Sequence, residues 1–323
     1  MTVDTLQSYT RGGSGGPTAT TTAQDRFAQR LRGVLGRINA AIKRGIIQDD
    51  IFNLQEESDT LAVDDPGPFE TDDSARATVL FIGWLREQLN NEYLEVVGPD
   101  SNQWLRKAYA QGIRNVHGQL KDADIAFQRP DMDELLGAPI HTRKLQTLYT
   151  RTYSNLESVA DDIVSDVRDT LTEGFRDGLG PREIARNLTD RVDSIGKHRS
   201  TMIARSEVIN AHSEGSLTRI DEINDEVEEQ VAVTHGVWDA ANDDRVCAFC
   251  RALDGTTMST TEMRDNTVEV ISEIGENFLG NTFRLQPPAH PNGRCNIRVM
   301  VGTGDLEESL DERLPEELTT NGG

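Results

Sequence analysis

The chain runs to 323 residues and carries 55 acidic against 33 basic ones, a formal net charge of −22. That is enough for one large domain or two ordinary ones without disulfide staples, while so many carboxylates oppose contact with bulk nucleic acid, which relies on Lys and Arg to neutralise phosphates. The first residues lack the basic start and apolar run of a secretory signal, and the longest apolar run, around "VLFIGWL", is too short to span a bilayer; the expectation is a soluble chain kept in the cytoplasm or in a particle assembled there.

In chain order, "RGGSGGPTATTTA" (11–23) is Gly, Ser and Thr with one Pro and reads as a flexible lead-in. Phe27, Leu31, Val34, Leu35, Ile38 and Ile42 then recur at helical spacing, which predicts an amphipathic helix to about Gly45. A second helix is predicted from about Ala75 to Val97, after the acidic, proline-broken connector "QEESDTLAVDDPGPFETDDS". A third surrounds Trp104, Ala108 and Ile113 and stops at a loop near Pro130. Leu145, Leu148, Tyr149, Tyr153, Leu156, Val159, Ile163, Val167 and Leu171 form the longest stripe, ending at Gly174, where a left-handed cap is cheap. Gly180-Pro181 opens a short helix with Ile184, Leu188 and Val192 inward. A separate long helix is predicted from Lys197 to Glu228, burying Ile203, Val208, Ile209, Leu217, Ile220 and Ile223. The period then changes to two. Val231, Val233, His235 and Val237 alternate with polar or small residues, as do Ile297, Val299 and Val301, so two half-buried strands bracket the cysteines. The acidic tail from Gly302 is expected to be mobile or to dock on a partner: Leu306, Leu310 and Leu314 have the i, i+4, i+8 spacing of a short helix laid in a groove.

Three cysteines, Cys247, Cys250 and Cys295, cannot all pair, and a reducing compartment disfavours disulfides in any case. With His290 they make two pairs, Cys-x2-Cys and His-x4-Cys, in "VWDAANDDRVCAFCRALDG" and "PPAHPNGRCNIRVMV". A two-residue gap lets both thiolates of a knuckle reach one ion, and a four-residue gap lets a His and a Cys do so across a turn, which is the donor set of tetrahedral Zn²⁺. Four protein ligands leave no open position, so the zinc would be structural. The plain alternative makes Cys247 and Cys250 small buried apolar residues and His290 a loop histidine. A third reading is enzymatic: His212-Ser213-Glu214 ahead of Cys247 and Cys250 partly matches the zinc nucleobase deaminases, though Val246 stands where their proline should be and His290 and Cys295 are left without work.

"IARSEVINAHSEGSLTRI", the Cys-x2-Cys stretch and "PPAHPNGRCNIRV" resemble, in the same order, the C-terminal half of the phage Mu F-like head morphogenesis proteins, the minor head proteins of tailed viruses. That pattern has an Ala-Arg-Thr-Glu helix, a Trp followed by Asp-x-Arg-x-Cys-x-x-Cys and Leu-x-Gly, and a closing Pro-x-His-Pro-Asn-Cys-Arg-Cys. Arg205 and Glu207 match the helix, with Ser206 for Thr; Trp238, Asp244, Arg245, Cys247, Cys250, Leu253 and Gly255 match the knuckle; His290, Pro291, Asn292, Arg294 and Cys295 match the closing turn. Gly293 stands where that pattern commonly has a further cysteine, which gives His290 more weight. The likeness covers about Leu145 to Val301. It implies a non-enzymatic assembly protein inside the capsid, present in the host cytoplasm during assembly. The portal protein is its expected partner, with the major capsid protein and packaged DNA as further contacts and no membrane. Arg205 and Glu207 would buttress the metal loop.

The expected fold class is therefore α+β: a mainly helical N-terminal and central region, then a small strand and loop module closed by a zinc site. Its expected boundaries are a flexible segment 1–24, a helical region 25–140, a Mu F-like domain 141–301 with helices 145–228 and the zinc-type module 229–301, and an acidic tail 302–323. Only five basic residues are Lys (Lys43, Lys107, Lys121, Lys144, Lys197). A carboxylate-rich, lysine-poor surface suits concentrated salt, where screening removes self-repulsion, and this points to a halophilic, archaeal virus. A cellular adaptor with a zinc-stapled interaction domain is the remaining alternative.

Overall fold

The structure, a computed structural model, describes residues 18–52, 74–98, 102–122, 131–226, 233–241, 243–272, 274, 278–302, 306 and 308–320. Most of the glycine-rich lead-in, the acidic connector, the loop at Pro130 and Val231 lie outside the described residues. The helices are α1 (Thr21–Lys43), continued by a π-helical turn at Arg44–Gln48, α2 (Ser74–Val97), α3 (Gln103–Asp122), α4 (Met132–Gly137), α5 (Pro139–Arg176) and α6 (Pro181–Glu226). A small module follows: β1 (Val233–Asp239), α7 (Ala248–Ala252), β2 (Thr257–Met258), α8 (Thr260–Asp265), β3 (Thr267–Val270), β4 (Thr282–Arg284), β5 (Asn296–Gly302), α9 (Leu310–Arg313) and β6 (Leu318–Thr320). This is the expected α+β order, and among the described residues no helix is long and apolar enough to cross a membrane.

Two compact units interleave along the chain: Met1–Arg26 with Gln103–Leu148 and Ala204–Gly323, and Phe27–Asn102 with Tyr149–Ile203. In the second unit α1 buries Phe27, Leu31, Val34, Leu35, Ile38 and Ile42, and α5 buries Leu156, Val159, Ile163, Val167 and Leu171. Two expected helix ends are displaced. Gly174 stays helical, close against Ile184, and the left-handed position is Gly178 (φ 67°), whose N–H reaches the Phe175 carbonyl at 3.2 Å. The two helices expected around Gly196 are one 46-residue helix, α6. Gly196 does not break it, because the missing Cβ is what admits Leu35: a methyl there would lie 2.0 Å from Leu35 Cδ1.

In the first unit α3 and α6 touch backbone to backbone through two glycines. A Cβ on Gly112 would lie 2.0 Å from the His212 carbonyl oxygen, and one on Gly215 would lie 2.1 Å from that of Tyr109. The strands form two three-stranded sheets, β2-β1-β5 and β4-β3-β6, all antiparallel in their pairings. The two expected strands are neighbours, with Trp238 opposite Ile297. β1 is not half-buried as its alternation suggested; His235 to Asp239 is buried throughout. Met263 of α8 packs on Gly236, and α3 reaches the sheet through Gln119, whose Oε1 accepts from Val299 N at 2.8 Å.

The end of the chain corrects a second expectation. Leu310 and Leu314, offered above as a docking face, are each 8 % exposed and belong to the core with Trp238, Phe249, Ile297 and Leu318; Leu306 is half-buried. A capping box between Ser309 and Glu312 starts α9. Arg313 donates to the Thr257 carbonyl and to Glu262, and β6 pairs with β3. The leucines at helical spacing are spent inward because the module needs them to close its own core.

Candidate metal centre

β1 ends at Asp239, and the chain turns through 243–246 into α7, whose N-cap is Cys247. There the Cys247 thiol accepts from the Cys250 N–H at 3.3 Å, and Cys250 sits one turn on, 2 % exposed. The tight exit uses Gly255 at φ 88°, a conformation that favours glycine. Its N–H donates to the Trp238 carbonyl at 2.9 Å while Trp238 N donates to Thr256 O at 2.9 Å, so the Trp and Gly of the motif pin the knuckle to β1. Trp238 itself is fully buried.

His290 arrives from the turn before β5. Its Nε2 lies 3.1 Å from Cys247 Sγ and 3.4 Å from Cys250 Sγ. Its Nδ1 is 2.9 Å from the Pro291 carbonyl, which can only accept; Nδ1 therefore carries a proton, and Nε2 is the nitrogen that faces the thiols. Cys247, Cys250 and His290 place their ligand atoms within 4.8 Å of one another and could hold a metal ion. Cys295 stands outside that group of three, with its thiol hydrogen-bonded to Cys250. Each thiol and the imidazole reports the others' charge. The hydrogen bond from Cys250 draws the Cys247 thiol down to about 4, assisted by His290. The same bond lowers Cys295, Cys250 is pushed up by donating to both, and His290 is raised by Cys247. Two cysteine sulfurs gathered around an imidazole nitrogen are, once deprotonated, the donor chemistry of a zinc or similar site.

The surrounding residues hold the two ligand pairs together. Asn292 takes a left-handed conformation (φ 64°); its N–H donates to Ser206 Oγ at 3.1 Å and its Oδ1 accepts from Arg205 Nη1 at 3.2 Å. The Arg-Ser-Glu segment of α6 thus grips the turn that carries His290, with Glu207 buried beside it at 2 % exposure. Arg294 makes a two-pronged bond to Asp243, 2.5 Å on each arm, joining the closing turn to the knuckle loop. Arg294 holds the Asp243 carboxyl far below the usual carboxylate range. Asp243 was missed from the sequence: the Asp-x-Arg pattern selected Asp244, which is exposed, as is Arg245, and nothing in an Asp-Asp pair distinguishes the two.

The deaminase-type ligand set is not assembled among the described residues, since His212 is not grouped with the cysteines. His212 is wholly buried, and among the described residues neither ring nitrogen has a hydrogen-bond partner. Glu214 accepts from Lys144 Nζ at 2.8 Å, Gln286 Nε2 at 3.0 Å and Arg264 Nε at 3.2 Å. Burial pushes its carboxyl up, but Arg264 and Lys144 outweigh this and leave it lowered.

Fold and site together describe a helical chain with a small strand module in which Cys247, Cys250 and His290 are drawn into one cluster. Residues 165–298, which contain that cluster, match the family described as Phage Mu protein F like protein. No curated protein and no solved structure matches the chain.

Proposed function

We propose that the chain is a minor head protein of a halophilic, archaeal tailed virus. It would sit in few copies inside the capsid at the portal, assist head morphogenesis and DNA packaging or delivery, and have no enzymatic role. Its C-terminal module would be stapled by one structural zinc ion on Cys247, Cys250, His290 and Cys295. The observation that carries the reading is the match of residues 165–298 to the Phage Mu protein F like family; the cluster of Cys247, Cys250 and His290 supports the metal. β1 and β5 are separated by a long insertion, and a metal cross-link limits the entropy that insertion has in the unfolded chain. Zinc does this where thiols stay reduced.

Metal analysis of the purified protein should find about one zinc per chain. Cys247→Ser and Cys295→Ser should each lose it and expose the strand module to proteolysis, while the helical signal of α5 persists. Full zinc in Cys295→Ser would remove that residue from the ligand set. For the assembly role, mass spectrometry of purified virions should detect the chain at low copy number and in complex with portal protein; its confinement to infected-cell lysate would overturn that role.

A further inference from the structure

We infer that the outer face of α1 and its π-helical extension binds the phosphate backbone of duplex nucleic acid. Residues 27–48 hold five basic side chains and no acidic one, in a chain whose balance is −22. The helix turns its apolar stripe into the core and Arg30, Arg32, Arg37, Lys43 and Arg44 outward. Arg30, Arg37 and Arg44 are seven residues apart, two helical turns, which sets them in a line at intervals of about 10 Å. Arg32 and Lys43 lie across the exposed strip from that line, at its other edge. Arg37 is held by Glu92 of α2, 3.0 Å from its Nε, and Glu95 adds attraction. Arg30 reaches Glu92 only through its field, and Arg32, Lys43 and Arg44 have no ion pair among the described residues.

The residues between the cations indicate what covers them. Gly33, Gly36 and Ala40 are exposed; a Cβ on Gly36 would meet nothing within 4 Å, and one on Gly33 only the tip of Arg37 at 3.9 Å. Neither glycine is needed for packing, although glycine weakens a helix interior. Together they leave a smooth strip along which a linear polyanion can approach the helix backbone. A protein partner would require apolar or aromatic anchors at the centre of its contact. Among the described residues the exposed large apolar side chains are Val79, Leu80, Leu94, Ile140, Ile271 and Leu279, none of them on α1. Phosphates need no such anchor. The chain's net charge opposes long-range approach, but that field is screened over about 10 Å at 0.1 M salt, so the contact is short-ranged and blind to sequence.

The helix lies outside residues 165–298, so failure here leaves the assembly reading and the metal centre untouched. The test is fluorescence anisotropy of the full chain with a labelled mixed-sequence duplex of about 30 base pairs across a salt series. Wild type should bind, with affinity falling as salt rises. Removing four cations together (R30Q, R32Q, K43Q and R44Q) should weaken binding at least about tenfold at 0.1 M salt and reduce the slope of log K against log salt by about 3 to 4. Exchange of the arginines for Lys (R30K, R32K and R44K) should hold affinity within about threefold, because backbone phosphates read charge. Absent binding by wild type, equal binding by the Gln variant, or an equal loss in the Lys variant overturns the inference. Sedimentation in which wild type self-associates and the Gln variant does not reassigns the strip to a second copy of this chain. Photocross-linking of unsubstituted protein to the duplex examines the same face without relying on a variant's fold: adducts should map to residues 30–44, and adducts confined elsewhere sink it.

Discussion

His212 is the residue whose burial has the largest consequence for conditions. Burial alone lowers its imidazole to about 4 from 6.5, and neither ring nitrogen has a hydrogen-bond partner among the described residues. The folded ring stays neutral while the unfolded one takes a proton, so the native state is favoured in full above pH 6.5 and loses ground as pH falls from 6.5 through about 4. The loss accumulates to about 3 kcal/mol. Glu214 and Glu222, whose folded values lie below 4.5, add their losses only under that point, and His290, raised in the folded state, is protonated in both states below 6.5. Cys247, drawn down to about 4 in the folded state, adds a loss across the same range, so urea unfolding between pH 6.5 and about 4.5 should show a slope that His212→Leu reduces without abolishing; an unchanged slope would assign the proton to another group. This residue also shows where sequence reading stops. That Cys247, Cys250 and His290 come together was legible because a metal knuckle has few workable gaps, whereas a histidine in mid-helix gives no sign of whether it faces a metal, solvent or a packed core. Asp243 was hidden for a similar reason: its partner Arg294 is about 50 residues away, and adjacent aspartates look alike until the turn is folded.

Among the elements, α9 and β6 have the most altered standing. Leu310, Leu314 and Leu318 line the core of the strand module, and Thr320 N donates to Asp311 at 2.8 Å, so residues 310–320 are a fastening strip rather than a free arm. Truncation after Thr303 should leave a module that unfolds early, and Leu310→Ala should cost about 2–4 kcal/mol in urea denaturation. A truncated chain as stable as the full one would return the tail to the role of a partner-docking segment. Amphipathic spacing alone could not decide this, since a leucine stripe specifies a buried face but not whose core buries it. The helices themselves were legible wherever an apolar stripe was long, as in α1 and α5. What was misread was glycine. Gly174, read as a cap, and Gly196, beside which a helix boundary was expected, are both contact points where Ile184 and Leu35 need the space of a missing methyl.

At the scale of the molecule, charge and connectivity matter most. A cleft of about 620 Å³ between α5 and α6 gathers Asp166, Asp169, Glu173 and Asp190, with Arg191 as its one cation, and such crowding is tolerable only with counterions nearby. If the acidic surplus is an adaptation to salt, lowering KCl from molar to tenths of molar, as the screening length grows from about 3 to about 10 Å, should lower the melting temperature. A melting temperature flat across that range would remove the argument for a saline setting and leave the acidity to be explained by a basic partner. The interleaving of the units has a further outcome during synthesis. Tyr149–Ile203 completes the unit begun by α1 and α2, so that unit can close while the ribosome is still adding the rest. The other unit has α3 early and its last strand at Leu318–Thr320. At ordinary elongation rates α3 waits on the order of ten seconds for its partners, holding Leu105, Ile113, Val116 and Leu120 without the core that later buries them. A nascent chain of this design should therefore expose that apolar face between the first unit's closure and the synthesis of β6, the interval in which a chaperone would be of most use.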